Sequence, residues 1–156
     1  MTVAAFEAQA SWLPTVVGRP CSAIRTDGGT MLSLHFGEFR ESPDGEIEAE
    51  RTITVEGAWR LESAVEVIAA AKDPDDERLE FLELLVGRTL DGFDVTRPGF
   101  DLTLSFQEGY VARCFPVDSL EYAEEVEDLE DIEVSWWITG AGIPDDWESA
   151  NEASGP

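Results

Sequence analysis

Apolar and polar residues alternate with a period of two in two stretches of the chain, and the two stretches follow one plan. In residues 87–110, GRTLDGFDVTRPGFDLTLSFQEGY, Leu102, Leu104 and Phe106 alternate with Thr103, Ser105 and Gln107. That is the pattern of a strand with one face on a core. Leu90, Phe93 and Val95 precede it, and Arg97-Pro98-Gly99 places a reversal between the two runs. Glu108-Gly109 offers a second turn, and residues 110–115, YVARCF, read as a third strand. In residues 18–39, GRPCSAIRTDGGTMLSLHFGEF, Leu32, Leu34 and Phe36 take the places of Leu102, Leu104 and Phe106, and Asp27-Gly28-Gly29 replaces the Arg-Pro-Gly turn. Val17-Gly18-Arg19 matches Val86-Gly87-Arg88, and Ile24 matches Phe93. The turns differ by one residue, a change that leaves the strand faces untouched.

The remaining elements fall around these hairpins. Residues 1–10 form a short helical lead-in with Val3, Phe6 and Trp12 as apolar anchors, ended by Pro14. Arg40 to Gly45 is a polar turn. Residues 47–61, IEAERTITVEGAWRL, read as one or two strands, with Gly57 as a bulge. Residues 63–72, SAVEVIAAAK, fit a strand into Ile68 or an Ala-rich helix capped by Ser63; the strand is favoured. Asp73-Pro74-Asp75-Asp76 opens a helix with an Asx cap, an early Pro and acids near the positive end of the dipole. Leu79, Leu82, Leu85 and Val86 continue it at helical spacing to a stop at Gly87. Residues 118–131, DSLEYAEEVEDLED, suggest a short helix capped by Asp118 or Ser119, and 132–139, IEVSWWIT, return to strand alternation. There Ser135-Trp136-Trp137-Ile138 stands where Ala58-Trp59-Arg60-Leu61 stands in the first half.

The expected fold is therefore α+β and mainly antiparallel β. Two pseudo-repeated β-meander halves, about 13–72 and 82–142, are joined by a short helix in a single domain, 1–156, with six to eight strands and a flexible acidic tail at 143–156. A two-sheet sandwich and a curved barrel-like sheet both bury the Leu/Phe faces. A hydrophobic fraction of 43% with five Trp supports a real core. No apolar run is long enough to span a membrane, and the opening MTVAAFEAQASWLP lacks the basic and apolar regions of a signal peptide, so a cytoplasmic location is expected. Cys21 and Cys114 are too few for a disulfide framework and read as two buried free thiols on different strands.

Charge changes the picture most. Asp and Glu number 34 against 10 Lys and Arg, a formal net charge of −24, with Lys72 the only lysine. Such a field opposes direct binding to nucleic acid or anionic membranes and favours basic protein partners, although a generally acidic proteome produces the same excess. Catalytic chemistry is sparse. His35, the one histidine, has the parity of Ser33 and points to the outer strand face, and Ser33 and Ser105 have no nucleophile-elbow context. One His and two distant Cys do not make a zinc site, and the acids at 73–77 lack the EF-hand register. Neither Gly-rich turn is a phosphate loop. No metal, cofactor or enzymatic activity is expected. Arg19 and Arg88 read either as guanidinium groups pinning strand starts or as a paired anion site.

The best binding candidate is the acidic run at 121–133, which reads either as a solvated helix face or as a docking face for a basic protein. Glu121, Glu124, Glu125, Glu127, Asp128 and Asp131 supply its charge, and Tyr122 and Trp147 supply aromatic anchors. A different reading is a self-associating structural or regulatory domain, a homodimer with Trp136 or Trp137 at its seam; a nucleic-acid mimic is a third.

One resemblance bears on this choice. Val17, Gly18, Arg19, Leu32, Leu34, Phe36, Trp59 and Leu61, repeated as Val86, Gly87, Arg88, Leu102, Leu104, Phe106, Trp136 and Ile138, form a tandem GR…LxLxF…W-x-L pattern over most of the chain. It is similar to small uncharacterised bacterial proteins with a domain of unknown function, and it implies no catalytic residues. Small acidic proteins of this kind also resemble, loosely, the immunity proteins of bacterial toxin systems. That likeness implies a non-enzymatic acidic protein-binding module, an immunity-type inhibitor of a basic toxin or nuclease.

Overall fold

The alternating stretches become two antiparallel sheets with their Leu/Phe stripes turned to one shared core. The computed structural model describes residues 3–27, 29–115 and 136–144, with only the backbone of Asp75. Helix α1 is Val3–Ala10 and α2 is Asp75–Leu82; single 3-10 turns, Leu13–Thr15 and Glu83–Leu85, follow them. The strands are β1 Cys21–Thr26, β2 Leu32–Glu41, β3 Ile47–Val55, β4 Ala58–Glu62, β5 Val67–Ala70, β6 Leu90–Thr96, β7 Asp101–Phe106, β8 Val111–Phe115 and β9 Trp136–Gly140. One sheet has the order β1-β2-β3-β9 and the other β5-β4-β8-β7-β6. The fold is thus α+β, mostly antiparallel β, with two open sheets rather than a closed barrel.

Each half builds a three-strand meander and then sends its next strand into the other half's sheet. β4 leaves β3 through Glu56-Gly57 and pairs with β8, while β9 pairs with β3. The registers correspond: Leu32 faces Val55 and Leu34 faces Ile53 in one sheet, as Leu102 faces Cys114 and Leu104 faces Ala112 in the other. Trp136 then lies opposite Val55, and Trp59 opposite Cys114. Even the β-bulges correspond, between Cys21 and Ala23 in β1 and between Leu90 and Gly92 in β6. The Phe36 and Phe106 rings stack between the sheets at 6.1 Å. Leu32, Leu34, Phe36, Leu102, Leu104 and Phe106 are each at most 2% exposed, and such burial stabilises by roughly 1.5–3 kcal/mol per side chain as an upper bound.

Two further devices recur in both halves. Each Trp straps a crossing strand to the residue two before the core stripe: Trp59 Nε1 donates to the Thr30 carbonyl at 2.7 Å and Trp136 Nε1 to the Phe100 carbonyl at 2.8 Å. The strand starts also clasp one another. Gly18 N donates to Leu90 O at 2.8 Å and Gly87 N to Cys21 O at 2.7 Å; Cys21 N donates to Arg88 O and Leu90 N to Arg19 O. Gly18 and Gly87 both take φ +90, a left-handed conformation that favours glycine, and both strands begin from it.

Several expectations change. Nine strands are present among the described residues, because Gly57, at φ +84, is a corner between β3 and β4 and not a bulge within one strand. The strand favoured for residues 63–72 is present at 67–70, where pairing with β4 overrides the helix preference of the Ala run. Asp73 does not cap α2: its Oδ2 accepts from Ala70 N at 2.8 Å, and Pro74 occupies the cap position. Leu82 and Leu85 are buried, but Leu79 and Val86 are exposed. Trp136 is 0% exposed and cannot line a dimer seam; Trp137 is half-buried.

Candidate functional site

The sequence-based binding candidates Glu121, Tyr122, Glu124, Glu125, Glu127, Asp128, Asp131 and Trp147 lie outside the described residues. What is described is where their segment is rooted. The chain enters it after Phe115, opposite Ala58, and leaves it at Trp136, opposite Val55. Those two positions flank the Glu56-Gly57 corner, and in chain order residues 116–135 join β8 to β9 as Glu56-Gly57 joins β3 to β4.

The electrostatics follow from what the arginines do. All nine lie among the described residues, and every one has an internal acceptor. Arg25 pairs with Glu41 at 3.0 Å, Arg40 with Glu48 at 2.8 Å, and Arg60 and Arg113 share Glu62. Those two guanidinium groups, Arg60 first, hold the Glu62 carboxyl below the ordinary carboxylate range. Arg97, in the turn after β6, ties that turn to α1 through Glu7, Nη2 to Oε2 at 2.6 Å, and this bond lowers the Glu7 pKa. Arg51 donates to the carbonyls of Glu50 and Ala141, and the buried Arg78 to Ala71 O at 2.6 Å.

Arg19 and Arg88 repeat one arrangement. Arg19 Nε donates to Thr15 O at 2.8 Å and its guanidinium pairs with Glu50; Arg88 Nη1 donates to Leu84 O and Nη2 pairs with Glu108 at 3.0 Å. Arg88 also lies over the Tyr110 ring, 4.6 Å from its centroid. Both therefore close the preceding 3-10 turn onto the strand start. Of the two readings open to the sequence, this geometry is the structural one. Lys72 alone carries a cation with no acceptor among the described residues.

The groups able to do chemistry are placed for structure. His35 sits on the outer face of β2, in register with Ala23 and Thr52, yet it is only 6% exposed because β2 is an interior strand flanked on both sides. Its Nδ1 is 2.9 Å from Thr52 Oγ1. Burial, and secondarily the charge of Arg25, hold its pKa below the ordinary value. Ser33, on the same face, lies 3.3 Å from Thr54 Oγ1. The Cys21 and Cys114 thiols are buried in different sheets, and burial pushes both up to about 12. A thiol with that pKa is not a nucleophile at neutral pH. Among the described residues no group of three or more His, Cys, Asp or Glu side chains is gathered to hold a metal ion. No helix among them is long and apolar enough to cross a membrane.

Two surface features were missed by sequence reasoning. A shallow cleft of about 540 Å³ lies between β4 and the end of β5, where Trp59, Arg60, Lys72 and Phe115 meet. Arg60 spans it, bonded to Glu62 at 3.0 Å and lying 5.0 Å from the centre of the Phe115 ring. The second feature is the outward side of α2 and its 3-10 turn, where Leu79, Phe81, Leu84 and Val86 are 38–42% exposed. Glu77, Glu80 and Glu83 stand exposed among them. The signal was present: DDERLEFLELL carries apolar residues on both sides of the helix, not only at the buried Leu82 and Leu85.

No family model matches the chain, and neither a curated protein nor a solved structure matches it.

Proposed function

We propose that this protein is a non-enzymatic acidic module that binds a basic protein, most concretely an immunity-type inhibitor of a basic toxin or nuclease. The observation that carries the reading is the disposition of charge. The chain has 34 acidic residues against 10 basic ones, and all nine arginines are turned onto carboxylates or carbonyls of the chain itself. The positive charge does internal structural work, so the surplus carboxylates set the field that an approaching molecule meets. A field of that sign raises the local concentration of cationic surfaces and steers their approach, by about 10–10³-fold in rate, and it repels phosphate backbones. The run at 121–133 adds the densest block of carboxylate, with Tyr122 as an aromatic anchor of the kind that supplies affinity where charge supplies speed.

The test is affinity capture from a lysate of the source organism at low and then raised salt, with the eluate identified by mass spectrometry. Recovery of one basic protein, lost as salt rises, supports the reading and identifies the target. Recovery of the bait alone overturns it in favour of self-association. With a target in hand, Glu124→Lys combined with Glu125→Lys slows association by about tenfold while leaving thermal unfolding in place. Unchanged association kinetics rule out this run as the steering face.

A further inference from the structure

Resting on that reading, we infer that the outward face of α2 and its 3-10 turn is an apolar docking site for a cationic amphipathic helix of the protein partner. The two halves of the chain supply an internal control. Their backbone bonds correspond at an offset of 69 residues: Arg19 N donates to Val16 O as Arg88 N donates to Leu85 O, and the Arg19 and Arg88 side chains close onto Thr15 and Leu84. At the inward positions the copies agree, with Leu13 and Val16 buried as Leu82 and Leu85 are. Around them, Trp12 and Val17 of the first copy match the apolar Phe81 and Val86, but four positions differ. Where the first copy has Thr15, the second has Leu84; where it has Ala10, the second has Leu79. Ala8 and Ser11 are replaced by Glu77 and Glu80.

The fold does not require a leucine at position 84. Thr15 serves at the same backbone position, with its hydroxyl accepting from Arg51 Nε at 3.0 Å. Leu84 makes no comparable use of its place and is 38% exposed, as is Leu79; Phe81 is 42% exposed. On a helix surface residues three and four apart are neighbours, so Phe81 and Leu84 adjoin, with Glu77 beside Phe81 and Glu80 beside Leu84. The result is an apolar pair rimmed by carboxylates, on a helical segment whose only cation, Arg78, is buried.

The charge of the rim selects the occupant. A second copy would bring another rim of carboxylates, and another net charge of −24, against the first. Residues 116–135 and 145–156 of the same chain are acidic and contain no Lys or Arg, so they offer this rim no cation. A helix with apolar residues on one side and Lys or Arg along its flanks satisfies both parts of the face: its apolar side covers Phe81 and Leu84, and its cations meet Glu77, Glu80 and Glu83.

The test uses the full chain, isotopically labelled, and a synthetic helix of Leu and Lys of about 15 residues, long enough to fold on binding. A peptide of the same composition, scrambled to break its apolar side, is the control. Binding with amide shifts centred on Leu79, Phe81, Leu84 and Val86, at least tenfold tighter than for the scrambled peptide, supports the site. Leu84→Thr with Leu79→Ala, substitutions the first copy already tolerates, then weakens the helix by about tenfold, the loss of one buried anchor. Binding that shifts residues 116–135 instead, and is unmoved by the double substitution, overturns this site while leaving the acidic-module reading intact. Failure of both peptides to bind at low salt overturns that reading as well. Shifts in 116–135 caused by the double substitution without peptide show the face covered by its own chain, and a dimer abolished by it shows a second copy there; either result overturns the site.

Discussion

Replacing each strapping Trp by Phe tests the two-sheet architecture at its crossings. The substitution at either site removes the pyrrole edge of the indole, about two buried carbon groups and about 1.5 kcal/mol at roughly 0.8 kcal/mol each. The hydrogen bond then separates the two sites. Trp136 is 0% exposed, and its bond to Phe100 O is buried, so Trp136→Phe strands a carbonyl away from water at about 1–3 kcal/mol. Trp59 is 5% exposed and its bond to Thr30 O is only partly buried. Water replaces that donor, and the loss falls to about 0.5–1.5 kcal/mol. The sums are about 2.5–4.5 kcal/mol for Trp136→Phe and about 2–3 kcal/mol for Trp59→Phe. Urea unfolding followed by far-ultraviolet circular dichroism reads the difference. At a slope of about 2 kcal/mol/M, a gap of about 1 kcal/mol separates the midpoints by about 0.5 M. Equal midpoints, the reverse order, or a loss below about 0.5 kcal/mol at either site would refute the straps as the reason these two Trp stand where they do.

Other outcomes follow from the same geometry. Because burial lowers the pKa of His35, the unfolded chain takes up its proton first; the stability this residue contributes is full above about pH 6.5 and declines as pH falls from there through the folded value. His35→Gln removes that part of the curve, and unfolding midpoints measured between about pH 5 and about pH 7.5 with an unchanged slope would show that another group is responsible. With thiols raised to about 12, Cys21 and Cys114 react with a thiol reagent at about pH 8 only as fast as the chain opens, and prompt labelling of the native protein would contradict their burial. Gly140, at φ +148, is packed so that a Cβ would collide with the Glu50 carbonyl oxygen, whereas Gly87, at φ +90, faces open space. Gly87→Ala therefore costs about 1–2 kcal/mol of conformational strain and Gly140→Ala more than about 3 kcal/mol; thermal unfolding ranks the two, and a reversed ranking rejects the contact.

What could be read in the sequence was whatever is local. Period-two alternation at Leu32-Leu34-Phe36 and Leu102-Leu104-Phe106 gave the core stripes, and the match of Val17-Gly18-Arg19 to Val86-Gly87-Arg88 gave the common start. Even the partner positions Trp59 and Trp136 stood out by spacing. The exchange of fourth strands did not, because periodicity states which face a strand buries and not which edge it pairs with. The burial of His35 was hidden for the same reason: outward parity means exposure on an edge strand but not on an interior one such as β2. Asp73 was misread because an Asp can serve the backbone behind it as readily as the helix ahead. The apolar outer face of α2 was visible letter by letter, but it acquired meaning only once Leu84 and Thr15 were found at one backbone position.

The exchange of β4-β5 and β9 has a consequence for how the molecule comes apart. Each half completes the sheet of the other, so the short link at Lys72-Asp73 that joins them is not what holds them together. A chain cut there is expected to close both sheets from two pieces, by the ladders of β3 with β9 and β4 with β8. Two separately made fragments are each the template for the other, and neither has a finished sheet alone. The protein is in this sense a dimer written on one chain, and it can be divided into a complementing pair at the seam between its copies.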